Sequence, residues 1–166
     1  MAVRAVVGLP NPVLAQVTPE VTAFDDALDS LITDLLDTMR ASPGCVGLAA
    51  PQIGVSRRVA VIDLRGHKKA PVNHGEVVLV NPKVESRSES DVAREGCMSV
   101  PDFTGDVTRA TSLVLTWQDA TGAASRDAFE GFEARAVQHE IDHLDGLVFL
   151  DRVAGRAAVF RRKVYR

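Results

Sequence analysis

His139-Glu140-Ile141-Asp142-His143 constrains this chain more than any other stretch. On a helix, side chains four residues apart stand one above the other, so both imidazoles share one face with Glu140 beside them. Phe132 and Ala136 fall on the same flank, while Val137, Ile141 and Leu144 form an adjoining apolar face suited to a core. Ala134, Arg135, Gln138, Asp142 and Asp145 fill the remaining arc, which is expected to face solvent. The spacing predicts a helix from about Phe132 to Leu144, stopped by Asp145-Gly146. Two imidazoles one turn apart can bind a single ion, with the adjacent carboxylate aimed at a water on that ion. The chain has only four histidines, so two of them meeting this pattern by accident is the minority reading.

A catalytic tetrahedral site takes three protein ligands and keeps one position open. After His143 the chain contains no Glu and no further His, and Asp145 and Asp151 are its only carboxylate side chains. The position where one metalloprotease extension requires a third His is Phe149, which cannot ligate. The third ligand therefore comes from upstream, which excludes the common peptidase layouts. Candidates are Cys45, Cys97, His67 and His74. The two histidines lie in the polar stretch 66–75, expected as an exposed loop with solvated rings. Cys97 follows Gly96 and precedes Pro101. Cys45 opens the stretch that runs to Gln52. Either cysteine can equally be a small buried hydrophobe.

The rest of the chain supplies a setting for such a helix. Residues 1–20 lack periodicity and are expected to wrap the surface as extended chain. Phe24, Leu28, Leu31, Ile32, Leu35, Leu36 and Met39 form one helical stripe, with Thr22 expected as its cap and Pro43-Gly44 as its end. Residues 58–64 and 77–80 are β-branched and apolar, and Pro82 is expected to close the second of these strands. Thr111–Trp117 alternates, Asp119-Ala120-Thr121-Gly122 is a turn, and the chain to Phe129 can return as a hairpin. Residues 76–129 thus read mainly as sheet. Helix, strands, helix gives an α+β fold with a largely antiparallel sheet around the C-terminal helix, in one domain spanning 1–166.

Composition narrows the function classes. Hydrophobic residues make up 46% and charged residues 25% of 166, an ordinary globular balance. A net charge of −3 gives DNA no broad electrostatic footprint. No apolar run approaches the ~18 residues of a membrane span. Without an export signal the two cysteines read as reduced, and a cytoplasmic protein is expected.

Three segments together carry a resemblance. Val46-Gly47-Leu48-Ala49-Ala50-Pro51-Gln52, Glu95-Gly96-Cys97-Met98-Ser99 and Gln138-His139-Glu140-Ile141-Asp142-His143 resemble, in order and spacing, the three motifs of peptide deformylases. The resemblance implies hydrolysis of the N-formyl group from N-formylmethionyl nascent peptides, with release of formate. It implies Cys97, His139 and His143 as ligands of one divalent metal ion, usually Fe²⁺, with Zn²⁺, Ni²⁺ or Co²⁺ able to replace it. It assigns Glu140 as the catalytic acid and base, and the Gln52 amide with the Met98 backbone N–H as oxyanion donors. Backbone groups of Val46, Gly47 and Gly96 would pair with the extended peptide. Phe132 and Ala136, on the histidine face of the helix, are expected to wall a pocket for the methionine side chain, with plain core packing the alternative for Phe132. The implied partners are the formylated peptide and, transiently, the ribosome. Cys45 stands where the family usually has Gly, and Met98 where many members have Leu. Thr104 stands where an Arg often helps hold the substrate backbone, which leads one to expect weaker peptide binding. Two other readings are a metal amidase with altered substrate preference and a non-catalytic peptide- or ribosome-binding module.

Overall fold

The structure is a computed structural model that describes residues 2–163. Two helices and six strands are arranged so that every strand pairing is antiparallel. Helix α1 spans Asp26–Arg40 and helix α2 spans Gly131–Leu144. The strands are β1 (Gly47–Ala49), β2 (Val59–Asp63), β3 (Glu76–Cys97), β4 (Val100–Gln118), β5 (Ala124–Glu130) and β6 (Val159–Arg161). The sheet runs β1-β2-β3-β4-β5, with β6 pairing the first part of β4. The α+β expectation is met.

Burial explains why β2 reads as an unbroken apolar run. Val59 and Val61 pack toward α1 with Leu28, Ile32, Leu35 and Met39. Ile62 and Leu64 pack with Ala134, Val137 and Ile141 of α2 and with Phe129. A strand covered on both faces carries hydrophobes at successive positions instead of alternating ones. The Phe24–Met39 stripe is the α1 side of this arrangement. Truncating a fully buried member such as Phe129 costs about 3–5 kcal/mol, so these two packings fix how the sheet sits between the helices.

Four local expectations are corrected. The α1 cap is Asp25, whose carboxylate accepts from Leu28 N–H at 3.0 Å. Thr22 lies in extended chain, next to Val21, whose backbone N–H and carbonyl are both held by the Asn81 side chain. Pro82 does not end its strand. Proline has no N–H to give a ladder, and here it falls in a register shift between Val80 and Lys83, beyond which β3 continues to Cys97. The polar arc of α2 does not face water: Ala134, Arg135, Gln138 and Asp142 are at most 7% exposed. The long β3–β4 hairpin covers it, and the Gln138 side chain spans both backbone groups of Ala110, at 3.1 and 2.9 Å.

The fourth correction concerns the histidines expected to be solvated. His67 is half-buried and stacks on Phe132, with ring centroids 4.6 Å apart. His74 stacks on Phe129 and contacts Glu133 of α2 at 2.6 Å and Asp127 of β5 at 3.0 Å. Desolvation lowers the His74 pKa, but the two carboxylates outweigh it and hold it above the ordinary 6.5. A folded-state pKa raised above the unfolded one adds stability that is complete below the unfolded value and fades as pH rises through the folded value. His74→Gln is therefore expected to lower thermal stability more below pH 6.5 than well above it. The difference should be on the order of 1 kcal/mol or less, since one partner is largely exposed. Melting curves across that range check it.

Candidate metal centre

Cys97 is the last residue of β3, joined to β4 by the two-residue turn Met98-Ser99. This hairpin end carries its sulfur to the flank of α2, where it meets both imidazoles. One ligand atom each from Cys97, His139 and His143 lie within 4.8 Å of one another. Cys97 Sγ is 3.3 Å from His143 Nε2. A tetrahedral ion of zinc-like radius needs about 3.5 Å between a sulfur and a nitrogen ligand, so the trio fits a single ion. Of the four upstream candidates, the structure brings Cys97 to the pair. Cys45, His67 and His74 lie outside the trio.

Burial and neighbouring charges set the state of each donor. His143 is fully buried, and its Nδ1 has no hydrogen-bond partner among the described residues; neither has Glu140 Oε2. Burial, together with the charges of His139 and Arg109, drives the His143 pKa well below 6.5, leaving a neutral ring with a lone pair to donate. His139 is pulled the other way. Burial opposes its charge, yet hydrogen bonds to Cys97 and Glu95 and the nearby Glu140 charge raise its pKa well above 6.5. The two imidazoles are thus shifted in opposite directions by their different neighbours. Burial pushes the Glu140 carboxyl up to about 7, near the working pH of a general base.

Glu95 is the hub of a buried network. Its carboxylate accepts from Arg109 Nε and Nη2, both at 3.0 Å, from Arg135 Nη1 at 2.7 Å, and pairs with His139 Nδ1 at 2.8 Å. Burial would raise its pKa, but His139 and Arg109 outweigh this and hold it well below the carboxylate range. With Nδ1 engaged, His139 presents Nε2 to the trio. Arg109 also binds Asp142, and Arg135 reaches the Val107 carbonyl at 2.9 Å. This network explains the polar arc of α2: Arg135 and Asp142 face buried counter-charges.

Gln52 sits in a 3₁₀ turn, Ala50–Ile53, with only 3% of its surface exposed. Its Oε1 accepts from Ala49 N–H at 3.0 Å, which turns Nε2 toward Ser99 Oγ at 3.2 Å and Cys97 Sγ at 3.5 Å. The extended N-terminal chain braces this region, Val7 N–H donating to the Gln52 carbonyl and Leu9 N–H to the Ser99 carbonyl.

A cleft of about 330 Å³ opens onto the trio. Val46, Gly47, Gly96, Met98, Phe132 and Ala136 all line it, with Gln52 and Glu140 at its floor. The Val46 carbonyl accepts from Asp63 N–H on β2 at 2.9 Å. Ladder groups alternate in direction, so the neighbouring Gly47 groups turn outward from β2. Cys45 donates its thiol to the Gly47 carbonyl at 3.0 Å, and burial and the Glu140 charge push its pKa up to about 12, so it stays a thiol. A Cβ on Gly47 would lie 2.7 Å from Glu140 Oε1; the missing side chain lets the carboxylate approach that strand.

Comparison with known proteins agrees with this geometry. Residues 3–158 match the family described as polypeptide deformylase. A peptide deformylase of Desulforudis audaxviator is 44% identical over 164 residues, covering 98% of this chain and 99% of the relative.

The chain belongs to the polypeptide deformylase family.

Solved deformylases share its fold. A crystal structure from Legionella pneumophila superposes with a TM-score of 0.84 at 40% identity, covering 92% of this chain and 87% of that one. A Met-Ala-Ser complex of a class I type b deformylase from Acinetobacter baumannii gives 0.85 at 34%, covering 92% and 99%. As a deformylase, the chain is a metal-dependent hydrolase with an intact Cys-His-His site. The three motifs by themselves assign no role to Glu95, Arg109, Arg135 or Ser99. Glu95 left a usable signal, because residues two apart on a strand share a face, and Glu95 stands two before Cys97. Arg109 left none, since only the β3–β4 register brings it there.

Glu95→Gln is expected to cost about 3–5 kcal/mol in urea unfolding, because it leaves two buried guanidinium groups undercompensated. The same change should weaken metal affinity about 10–100-fold by releasing His139, which a metal titration reads separately.

Proposed function

We propose that this deformylase removes the formyl group from N-formylmethionyl peptides, using Glu140 as its proton carrier. The observation that carries this reading is the unpartnered, buried Glu140 Oε2 beside the Cys97–His139–His143 trio. A divalent ion held by that trio supplies, when bound, Lewis acidity for the carbonyl and a water acidified toward ~7. Glu140 takes a proton from the attacking water and returns one to the departing nitrogen as the C–N bond breaks, leaving formate and a free α-amine. The Gln52 amide and the Met98 backbone N–H meet the charge that develops on the carbonyl oxygen. Support for Gln52 comes from its fixed carbonyl end, which leaves its N–H groups aimed beside Cys97.

Peptide binding in this reading is strand addition. Gly47 lies on β1, the edge strand of the sheet, and Val46 and Gly96 line the cleft with it. Phe132 and Ala136 flank a pocket suited to the methionine side chain, with His67 stacked behind Phe132. The bound Met-Ala-Ser of the Acinetobacter baumannii relative supports a methionine-led peptide as ligand. Fe²⁺ is the proposed metal, as is usual in the family, since a His₂Cys set accepts iron, zinc, nickel and cobalt alike. The partner is the nascent formylated chain, with the ribosome that bears it a transient neighbour. Among the described residues no helix is long and apolar enough to cross a membrane, and the proposed setting is the cytoplasm.

Glu140→Gln is expected to keep its metal content while formate release from a formyl-methionyl peptide falls about 10²–10⁴-fold. Unchanged turnover would remove Glu140 from the mechanism. Gln52→Ala should raise the barrier by about 2.7–4 kcal/mol, read as a fall in kcat with metal content unaltered. Anaerobic and aerobic preparations, compared for iron content and formate release, test the metal assignment.

A further inference from the structure

Among the described residues three arginines line the metal cleft: Arg94, Arg135 and Arg162. Two are committed. Arg135 is buried against Glu95 and Asp91. Arg94 pairs with Asp106 at 2.8 Å and lies over the Phe160 ring, 3.9 Å from its centroid. The guanidinium of Arg162 has no hydrogen-bond or ion-pair partner among the described residues, although the Arg162 backbone is anchored. Strand β6 pairs Val159, Phe160 and Arg161 with Gly105, Thr104 and Phe103, and Arg162 N–H then donates to the Asp102 carbonyl at 2.8 Å. Thr104 is in turn the β4 partner of Gly96. Strand β6 thereby carries to the wall of the cleft next to Cys97 a cation with no partner among the described residues.

Its placement there is close. A Cβ on Gly96 would lie 2.6 Å from Arg162 Nη2, so the guanidinium rests against the bare α-carbon of the residue just before the sulfur ligand. Gly96 lines the same cleft as Cys97, Gln52 and Glu140, so a peptide whose formyl carbon lies among those three has Gly96 on its way out. We propose that Arg162 is a substrate-binding residue that donates to backbone carbonyls following the formylated methionine. The assignment deepens the deformylase reading and rests on it. Chemically the match is a five-donor planar fork facing a row of carbonyl acceptors. It sets a preference for peptides over single formylated amino acids, supplied from a strand far along the chain from all three motifs.

Formate release from formyl-Met-Ala-Ser-amide and from formyl-Met-amide tests this, both amidated so that no terminal carboxylate can attract the arginine. Arg162→Ala and Arg162→Gln are each expected to lower kcat/KM about tenfold on the tripeptide amide, through KM, and less than about twofold on the short amide, the size of one lost charge-assisted hydrogen bond. Arg161→Ala removes an equal charge from the same strand, outside the cleft, and is expected to match the wild type on both substrates. Backbone bonds hold β6 to β4, so neither Arg162 substitution removes a hydrogen bond or ion pair among the described residues; melting curves verify that the fold is kept. An unchanged KM in both Arg162 variants, equal losses on the two substrates, or an equal loss in Arg161→Ala would overturn the assignment. Wild-type enzyme that releases no formate from either amide would overturn the parent reading and this inference with it.

Discussion

The carboxylate of Glu95 ties β3, β4 and α2 together through buried charge. It receives two hydrogen bonds from Arg109 on β4 and one from Arg135 on α2, and it orients His139 on α2. Taking these charges out of water costs several kcal/mol per ion, repaid only if each finds its partners in good geometry. Asp142 completes the balance by binding Arg109. In the arrangement of β3, β4 and α2 that satisfies this network, Cys97 lies against the two imidazoles. Of the metal trio, the network touches His139 directly.

Around this hub, backbone contacts complete the site from distant parts of the chain. The Met98-Ser99 turn and the 3₁₀ turn bearing Gln52 are both tied to the N-terminal extended chain. Glycine allows the closest approaches. At Gly47 the missing side chain admits Glu140, and at Gly96 it admits Arg162. A cleft between an edge strand and a hairpin end suits an extended peptide, since a sheet edge offers unpaired backbone groups and the hairpin end offers the ion.

Cys45 places a second thiol in the cleft that holds Cys97. Its side chain adds to the cleft wall, but the thiol donates to the Gly47 carbonyl and burial keeps it protonated. A neutral thiol there competes with neither Cys97 for the ion nor Glu140 for a proton.

Much of this molecule was legible before its structure. The stripe from Phe24 to Met39, the apolar residues 58–64, the hairpin around residues 119–122 and the His139–His143 helix each reflect a local period that burial on one or two faces imposes. The ligand histidines and Glu140 were legible because their spacing is itself helical geometry. What escaped was long-range and polar. An arc of Arg135, Gln138 and Asp142 reads the same whether it faces water or buried counter-charges. His74 gave no hint of Glu133 and Asp127, nor Pro82 of the bulge that lets β3 run through it. Local chemistry within a few residues thus determined the elements and the reactive groups. Register across the 22-residue β3 and the 19-residue β4 decided which distant charges meet, because complementarity between side chains so far apart in sequence exists only once the strands have paired.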